Sequence, residues 1–360
     1  MRGEYRALRL ESDGDLAVLD QRILPFEESW VRIGTARECV EAISNMTVRG
    51  AGVIGDVAAF GVYLASRECN GDLASIERSA EAIRRARPTA VNLMWAVDRM
   101  VRVARECGAT ERTGRLKEEA IAICDEDAAR SRDIGRHGAD LIEKIAESGG
   151  KGPVRILTHC NAGWLAIVDD GSALAPVYEA ARRGIDLHLW VDETRPRNQG
   201  ANLTAWELQK SAIPHTVIAD NTGGHLMQRG MVDLCITGAD RVSRNGDVAN
   251  KIGTYLKALA AADNGLPFYV ALPASTFDFA IDDGVKEIPI EERGEEEITF
   301  IRGVDAEGSI RRVRIVPEGS PALNVGFDVT PSRLVTGLIT ERGVCRADRE
   351  AIERMFGDLL

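Results

Sequence analysis

The chain has 360 residues, 28% of them charged and 44% hydrophobic, with a formal net charge of −11. That acidity argues against nucleic acid as a partner, since such binding is driven by Lys and Arg neutralising phosphates. No run approaches the roughly 18 uninterrupted apolar residues of a membrane span. The opening MRGEYRALRLESDGD places acids where a secretory signal needs an apolar core. Seven scattered cysteines, never in a CxxC, fit free thiols in a reducing compartment better than a zinc site or disulfide framework. The cytoplasm is the expected compartment.

Taken in chain order, residues 1 to 30 alternate enough, in LAVLD and QRILPF, to suggest short strands. From Thr35 to about Ser148 the apolar residues recur at helical spacing, as in Ala42, Ile43, Val53, Ile54, Val57 and Ala58. Gly or Pro punctuation in CNGD, ARPT and ECGAT separates the helices. The glycine-rich ESGGKGP at 147 to 153 reads as a linker. Beyond it VRILTH is a strand, SALAPVYEAARRG a helix stopped by Gly184, and IDLHLWVDE a strand. TAWELQKSA is a helix opened by a Thr204-x-x-Glu207 capping box. HTVIAD, VDLCITG and PFYVALP are strands, with HLMQRG and VANKIGTYLKALAAADNG the helices between them. The acidic EERGEEE at 291 to 297 reads as a solvated loop. Strands that are near-continuous apolar runs, alternating with helices, predict a buried parallel sheet. The expected fold is α/β: a Rossmann-like C-terminal domain over 149–360, preceded by a smaller, mainly helical N-terminal domain over 1–148.

Ligands of open α/β sheets bind beyond the carboxyl ends of the strands, and five successive strands end there in polar groups. The first runs into His159-Cys160-Asn161-Ala162-Gly163 and the second into Asp192-Glu193-Thr194-Arg195-Pro196, continuing to Gln199. The third ends at Asp220-Asn221 and the fourth at Gly238-Ala239-Asp240-Arg241, with a helix expected to begin near Asn250-Lys251. The fifth ends at Pro273-Ala274-Ser275-Thr276. GxGxxG after a strand, GxxxxGK[ST] and GxSxG are all absent, which removes dinucleotide, P-loop and α/β-hydrolase chemistry. His159 neighbours the thiol but points to the opposite face of its strand, so it reads as structural. The histidines show no metal-ligand spacing, and no metal is expected. Free cysteines are usually inert core residues, aspartates often cap turns, and lone arginines are mostly solvated. Only their convergence at one sheet edge lifts them above that background.

NMTVRGAGVIG, RPTAVNLMWAVDRM, THCNAG, DETRPRNQGANLTAWEL, GADRVSRNGDVANKIGTY and EIPIEER closely resemble, in order, the motifs of the methylthioribose-1-phosphate isomerase family. The wider superfamily includes ribose-1,5-bisphosphate isomerases and non-catalytic regulatory subunits of a translation-initiation exchange factor. The resemblance implies Cys160 and Asp240 as the catalytic pair. It implies substrate binding by Arg49, Gly50, Ala51, Arg87, Gln199, Asn250 and Lys251, in a site between the two domains, and a homodimer. Physically, a thiol at a strand-to-helix turn can be activated by a helix N-terminus. Arg49 beside Gly50 could let backbone approach a ligand closely, and Arg pairs well with phosphate oxygens.

The implied reaction opens the ring of an aldose 1-phosphate by protonating its ring oxygen. Hydrogen then moves from C2 to C1, as a proton through an enediolate or as a hydride. Because the redox change is internal, no cofactor is expected. Departures from the family pattern bear on the 5-substituent: Gly52 stands where Pro is common, Thr222-Gly223-Gly224 where MAA is common, and Trp164 where a small residue is common. The alternatives are thus a ribose 1,5-bisphosphate or 5-deoxyribose 1-phosphate isomerase, or a regulatory subunit. A bisphosphate needs an extra cationic cluster that no sequence run announces.

Overall fold

In the computed structural model, which describes residues 7–87, 90–148 and 152–359, the chain opens with an antiparallel sheet. Its strands are β1 (Leu8–Leu10), β2 (Leu16–Leu19) and β3 (Trp30–Ile33). Five helices follow: α1 (Ala36–Ser44), α2 (Ala51–Glu68), α3 (Leu73–Ala86), α4 (Val91–Glu106) and α5 (Ala109–Ser148). Thr35 and Glu38 close a reciprocal capping box at the start of α1. In α2 every residue from Gly52 to Ser66 is buried, the mark of a helix enclosed on all sides. The expected linker at 147–153 lies partly outside the described residues.

The second half builds a seven-stranded sheet ordered β16-β15-β10-β7-β4-β5-β6. Its first members are β4 (Val154–Thr158), β5 (Leu187–Asp192), β6 (His215–Ile218) and β7 (Leu234–Thr237). The connecting helices are α6 (Ala175–Arg182), α7 (Ala205–Lys210) and α8 (Thr222–Gln228). Then come β8 (Arg241–Ser243), β9 (Val248–Lys251), α9 (Thr254–Asp263), β10 (Phe268–Ala271) and β11 (Phe277–Asp278). Two single-turn helices, α10 (Gly284–Glu287) and α11 (Glu296–Thr299), lead to the hairpin β12 (Phe300–Val304) and β13 (Ile310–Arg314). The chain closes with β14 (Phe327–Thr330), β15 (Gly337–Thr340), β16 (Gly343–Cys345) and α12 (Arg349–Phe356). Strands β6 through β15 of the large sheet pair in parallel, and β16 adds an antiparallel edge. One apolar core joins α2, α4, α5 and α6 to one face of this sheet, and a second joins α9 and α12 to the other.

Two details decide where a site can form. From β4 the chain winds outward through β5 and β6, then returns to place β7 on the other side of β4. The crevice beyond the β4 and β7 ends is therefore a topological switch point, where open α/β sheets bind ligands. Strands β8, β9, β11 and β14 form a second, four-stranded sheet just past it.

That second sheet corrects one sequence reading. Asn250 and Lys251 lie on strand β9, paired antiparallel with Asp328 and Phe327, and the helix starts only at Thr254 after Gly253 at φ +104. VANK is a fully buried run held by a ladder, so tertiary pairing overrides its helical spacing.

Candidate active site

Cys160 follows β4 in left-handed backbone, φ +65, a conformation that side-chain-bearing residues adopt only when their surroundings enforce it. The enforcement is visible on both of its peptide groups. Its N–H donates to Thr194 Oγ1 at 2.9 Å, and its carbonyl accepts from Thr204 Oγ1 at 2.7 Å. The helix N-terminus expected to activate the thiol is elsewhere, because a loop intervenes and α6 starts only at Ala175. Burial pushes the thiol pKa up, against the pull of Arg49 and Lys251, so Cys160 stands as a protonated thiol at neutral pH.

Asp240 sits in the short link between β7 and β8. Strand β4 pairs with β7 through Leu157 and Cys235, which brings the two strand ends, and so Cys160 and Asp240, to the same crevice. The Asp240 backbone N–H is held by Ala249 O at 2.9 Å. Burial raises the carboxyl pKa, against Lys251, Arg87 and Arg49.

All the residues singled out from sequence line one cleft: Cys160, Asp240, Arg49, Gly50, Ala51, Arg87, Gln199, Asn250 and Lys251. Arg49 forks onto Asn161, donating from Nη1 to Oδ1 at 2.6 Å and from Nη2 to the carbonyl at 2.8 Å. Burial lowers the Arg87 and Lys251 pKa values, with Asp240 opposing it in both. Lys251 Nζ donates to Gly326 O at 2.9 Å and lies 4.6 Å from the Phe327 ring centre. Gln199 is 6% exposed, and its Oε1 has no hydrogen-bond partner among the described residues. An orphaned buried acceptor facing a cleft suits a ligand hydroxyl.

Gly50 has a packing duty beside its place in the cleft. A Cβ there would lie 2.3 Å from Ala166 Cα, at φ +92, so the glycine admits the loop after β4 while its backbone lines the cleft.

The cleft itself holds only about 50 Å³ and opens on two neighbours. One, of about 320 Å³, shares Met46, Arg49, Arg197 and Gln199 with it and reaches Leu24, Phe26 and Phe300. The other, of about 40 Å³, shares Gly50, Ala51, Arg87, Asp240 and Phe327, and adds apolar groups such as Ile54, Val91 and Ile288 together with Arg241, which is paired with Asp278 at 3.2 Å. The first neighbour is the roomiest of the three, but the cleft between gathers the thiol, the carboxyl and the cations.

Arg197 and Arg293 also line the cleft, and sequence reasoning misses them although both stand inside quoted motifs. Their charges are already matched. Glu297 accepts from Arg197 at 2.8 Å and from Arg293 at 2.8 Å, and Glu291 accepts from Arg293 at 2.7 Å. Burial would raise the Glu297 carboxyl, but the Arg293 and Arg197 hydrogen bonds prevail and bring it to about 2. EERGEEE is exposed at Glu292, Gly294, Glu295 and Glu296, as expected, but its first and last acids turn inward and clamp the arginines of the cleft.

His159 points away, as its place on the strand requires, with Nδ1 2.8 Å from Asp192 Oδ2 and Nε2 2.9 Å from Ile252 O. His159, Asp192 and Asp220 offer ligand atoms within 4.8 Å of one another. The Lys257 ammonium already lies 3.1 Å from Asp192, so a cation occupies that place. Arg195 turns out of the cleft to bond Pro196 O and Ile298 O, and Ser275, at the end of β10, bonds Asn92 of α4. No helix among the described residues is long and apolar enough to cross a membrane.

Residues 47–347 match the Initiation factor 2 subunit family. A methylthioribose-1-phosphate isomerase of Sulfurimonas denitrificans is 60% identical over 359 residues, covering 99% of each chain. Its counterpart in Paramagnetospirillum magneticum is 54% identical over 353 residues, covering 98% of this chain and 97% of its own. Among solved structures, the 5-methylthioribose 1-phosphate isomerase of Pyrococcus horikoshii superposes with a TM-score of 0.85 at 37% identity, covering 99% of this chain and 96% of its own. The translation initiation factor eIF-2B subunit delta of A. fulgidus superposes with a TM-score of 0.81 at 35% identity, covering 98% and 99%. With near-complete coverage in both directions, the chain belongs to the initiation factor 2 subunit family, among its methylthioribose-1-phosphate isomerases.

Proposed function

We propose that the protein converts 5-methylthioribose 1-phosphate into 5-methylthioribulose 1-phosphate, an aldose–ketose isomerisation in methionine salvage. The observation that carries this reading is the meeting of Cys160 and Asp240 with Arg49, Arg87 and Lys251 in one cleft at the sheet's switch point. Asp240, its pKa raised by burial, is the acid that protonates the ring oxygen as the sugar opens. Cys160, held as a thiol, attends the hydrogen transfer between C2 and C1. Arg49, Arg87 and Lys251 hold the phosphate, Gly50 and Ala51 shape its approach, and Gln199 and Asn250 take sugar hydroxyls. We take the chain as two units, 1–148 and 149–360, with the substrate between them, and as a homodimer working in the cytoplasm. Light scattering on the purified protein tests the dimer.

The mostly apolar chamber beside Asp240 supports a methylthio group at C5, where a second phosphate would lose its water at a cost of several kcal/mol and meet only Arg87, already given to the first phosphate, and Arg241, held by Asp278. Arg197 and Arg293 could have met that phosphate, but Glu297 and Glu291 hold them. A purely regulatory subunit has no use for the Cys160–Asp240 pair. Incubating the protein with methylthioribose 1-phosphate, 5-deoxyribose 1-phosphate and ribose 1,5-bisphosphate, and following C1 by NMR, tests the assignment. The methylthio sugar is expected to lead the bisphosphate by at least about a hundredfold in kcat/KM, some 2.7 kcal/mol, with the deoxy sugar between them. Comparable turnover of the bisphosphate would overturn the substrate, and no turnover of any sugar would overturn the reaction.

A further inference from the structure

Glu207 is completely buried in α7, and none of its hydrogen-bond partners among the described residues is a cation. Each carboxylate oxygen accepts two hydrogen bonds. Oε1 takes Asn161 Nδ2 at 2.8 Å and Leu165 N at 3.1 Å, and Oε2 takes Trp164 N at 2.9 Å and the Tyr178 hydroxyl at 2.9 Å. Three of these donors belong to the loop that begins at Cys160. The fit is close enough that a Cβ on Gly163 would sit 1.8 Å from Oε2. Thr204, one turn earlier, holds the same loop by bonding the Cys160 carbonyl and receiving Asn161 Nδ2 at 3.2 Å.

Asn161 is where this support reaches the cleft. Its amide nitrogen donates to Glu207, which leaves its amide oxygen facing Arg49 Nη1 at 2.6 Å. An unheld asparagine amide could turn over and present N–H groups to the guanidinium. The buried carboxylate forbids that orientation, because it accepts and cannot donate. The amide thereby relays negative charge from Glu207 to a cation that no carboxylate among the described residues touches. With two of its N–H groups spent on Asn161, Arg49 keeps the rest of its fork for the cleft.

We propose that Glu207 is a positioning residue for substrate binding: through the Asn161 amide it aims Arg49 at the phosphate and sets the loop that carries Cys160. This rests on Arg49 being a phosphate ligand, as proposed above. The charged and titratable groups facing Glu207 are Tyr178 from α6 and, through Asn161, Arg49 from the start of α2. Burial raises its pKa to about 7, against its hydrogen bonds from Asn161, Leu165, Tyr178 and Trp164, so its charge can be varied within a workable pH range.

The test changes the direction of the relay. In Asn161→Asp the new carboxylate still accepts from Arg49 but confronts Glu207. Protonated Glu207 can donate to it at low pH, whereas ionised Glu207 repels it at high pH. In Asn161→Asp/Glu207→Gln the amide that replaces the Glu207 carboxylate donates at every pH, with the site's total charge unchanged. Steady-state kinetics with methylthioribose 1-phosphate between pH 6 and 9 should show the single variant losing at least tenfold in kcat/KM at the alkaline end, through KM. The double variant should stay within threefold of wild type. A pH profile for Asn161→Asp parallel to wild type, or a double variant no better than the single, overturns the proposal. Thermal melts show which variants fold. Should Asn161→Asp not fold, Glu207→Gln alone decides, by a KM raised at least fivefold or by an unchanged one. Wild-type turnover tests the reaction itself and Arg49→Ala tests the phosphate ligand, so failure of either is distinguishable from failure of the relay.

Discussion

Two acids of ordinary type, a thiol and a carboxyl, stand at strand ends in this protein with their pKa values raised by burial. In the proposed reaction Asp240 must begin protonated, so kcat/KM should fall as pH rises through its raised pKa. Asp240→Asn should lower kcat by at least a hundredfold and abolish that alkaline limb. Cys160→Ser should do comparable damage to kcat while leaving KM near wild type. A variant keeping more than about a tenth of wild-type kcat, a difference of only about 1.4 kcal/mol in barrier, would strip that residue of its role. Arg49→Ala, Arg87→Ala and Lys251→Ala should each weaken binding of a substrate analogue in calorimetry by about 1.5 to 3 kcal/mol. Cys160, Asp240 and the cations are legible in the sequence because each stands in a long motif, the pair at predicted strand ends. Arg197 and Arg293 are not, although they share those motifs, because nothing in the sequence tells a free arginine from a clamped one. Glu207 is legible only as the end of a capping box.

The capping box itself shows how an element can mislead. Thr204-x-x-Glu207 has the right spacing, but the chain enters α7 through a π-helical turn over Gly200–Thr204. Neither side chain caps the helix, and both reach back to the loop after β4. Spacing encodes which groups could meet, while burial decides which do. The alternating strands and helices of the large sheet from 154 to 271 are legible, since a buried parallel strand is a continuous apolar run, but β8 and β9 of the second sheet are not, and VANK reads there as helix. The β12–β13 hairpin is not, because its half-exposed sequence FIRGV and IRRVR lacks that signal. At the start of α2, Gly50→Ala should cost about 2 kcal/mol or more, since it combines a positive φ with a backbone clash against Ala166. Urea unfolding measures it, and a change under about 0.5 kcal/mol would mean that the loop can retreat freely.

At the scale of the molecule, the halves are stitched across the cleft by contacts between residues far apart in the chain. Gln21 Nε2 reaches Leu165 O at 2.7 Å, Val53 N reaches Ala166 O at 3.0 Å, and Asn92 reaches Ser275 at 2.9 Å. Two carboxyls near that seam should give stability opposite pH dependences. Glu297, depressed to about 2 from 4.5, stabilises above pH 4.5 and loses its contribution as pH falls through 2. Glu207, raised to about 7 from 4.5, is most compatible with the fold below pH 4.5, and its contribution is lost as pH climbs through 7. Melting of the wild type should therefore drop between pH 5 and 8 by more than that of Glu207→Gln. Parallel curves would show that Glu207 ionises in the native protein as it does in solution.

The grip of Arg49 on Asn161 spans 112 residues, and that span has a temporal consequence. Helices α1 to α5 are built mostly from neighbours in sequence and can form early, whereas the cleft waits for closures whose entropy must be met before any contact rewards them. A chain emerging N-terminus first would display one wall of the cleft long before the opposing wall exists. During refolding from denaturant, far-UV ellipticity should therefore recover ahead of turnover, which should return only with the slowest phase. Simultaneous recovery would mean that the two walls condense together.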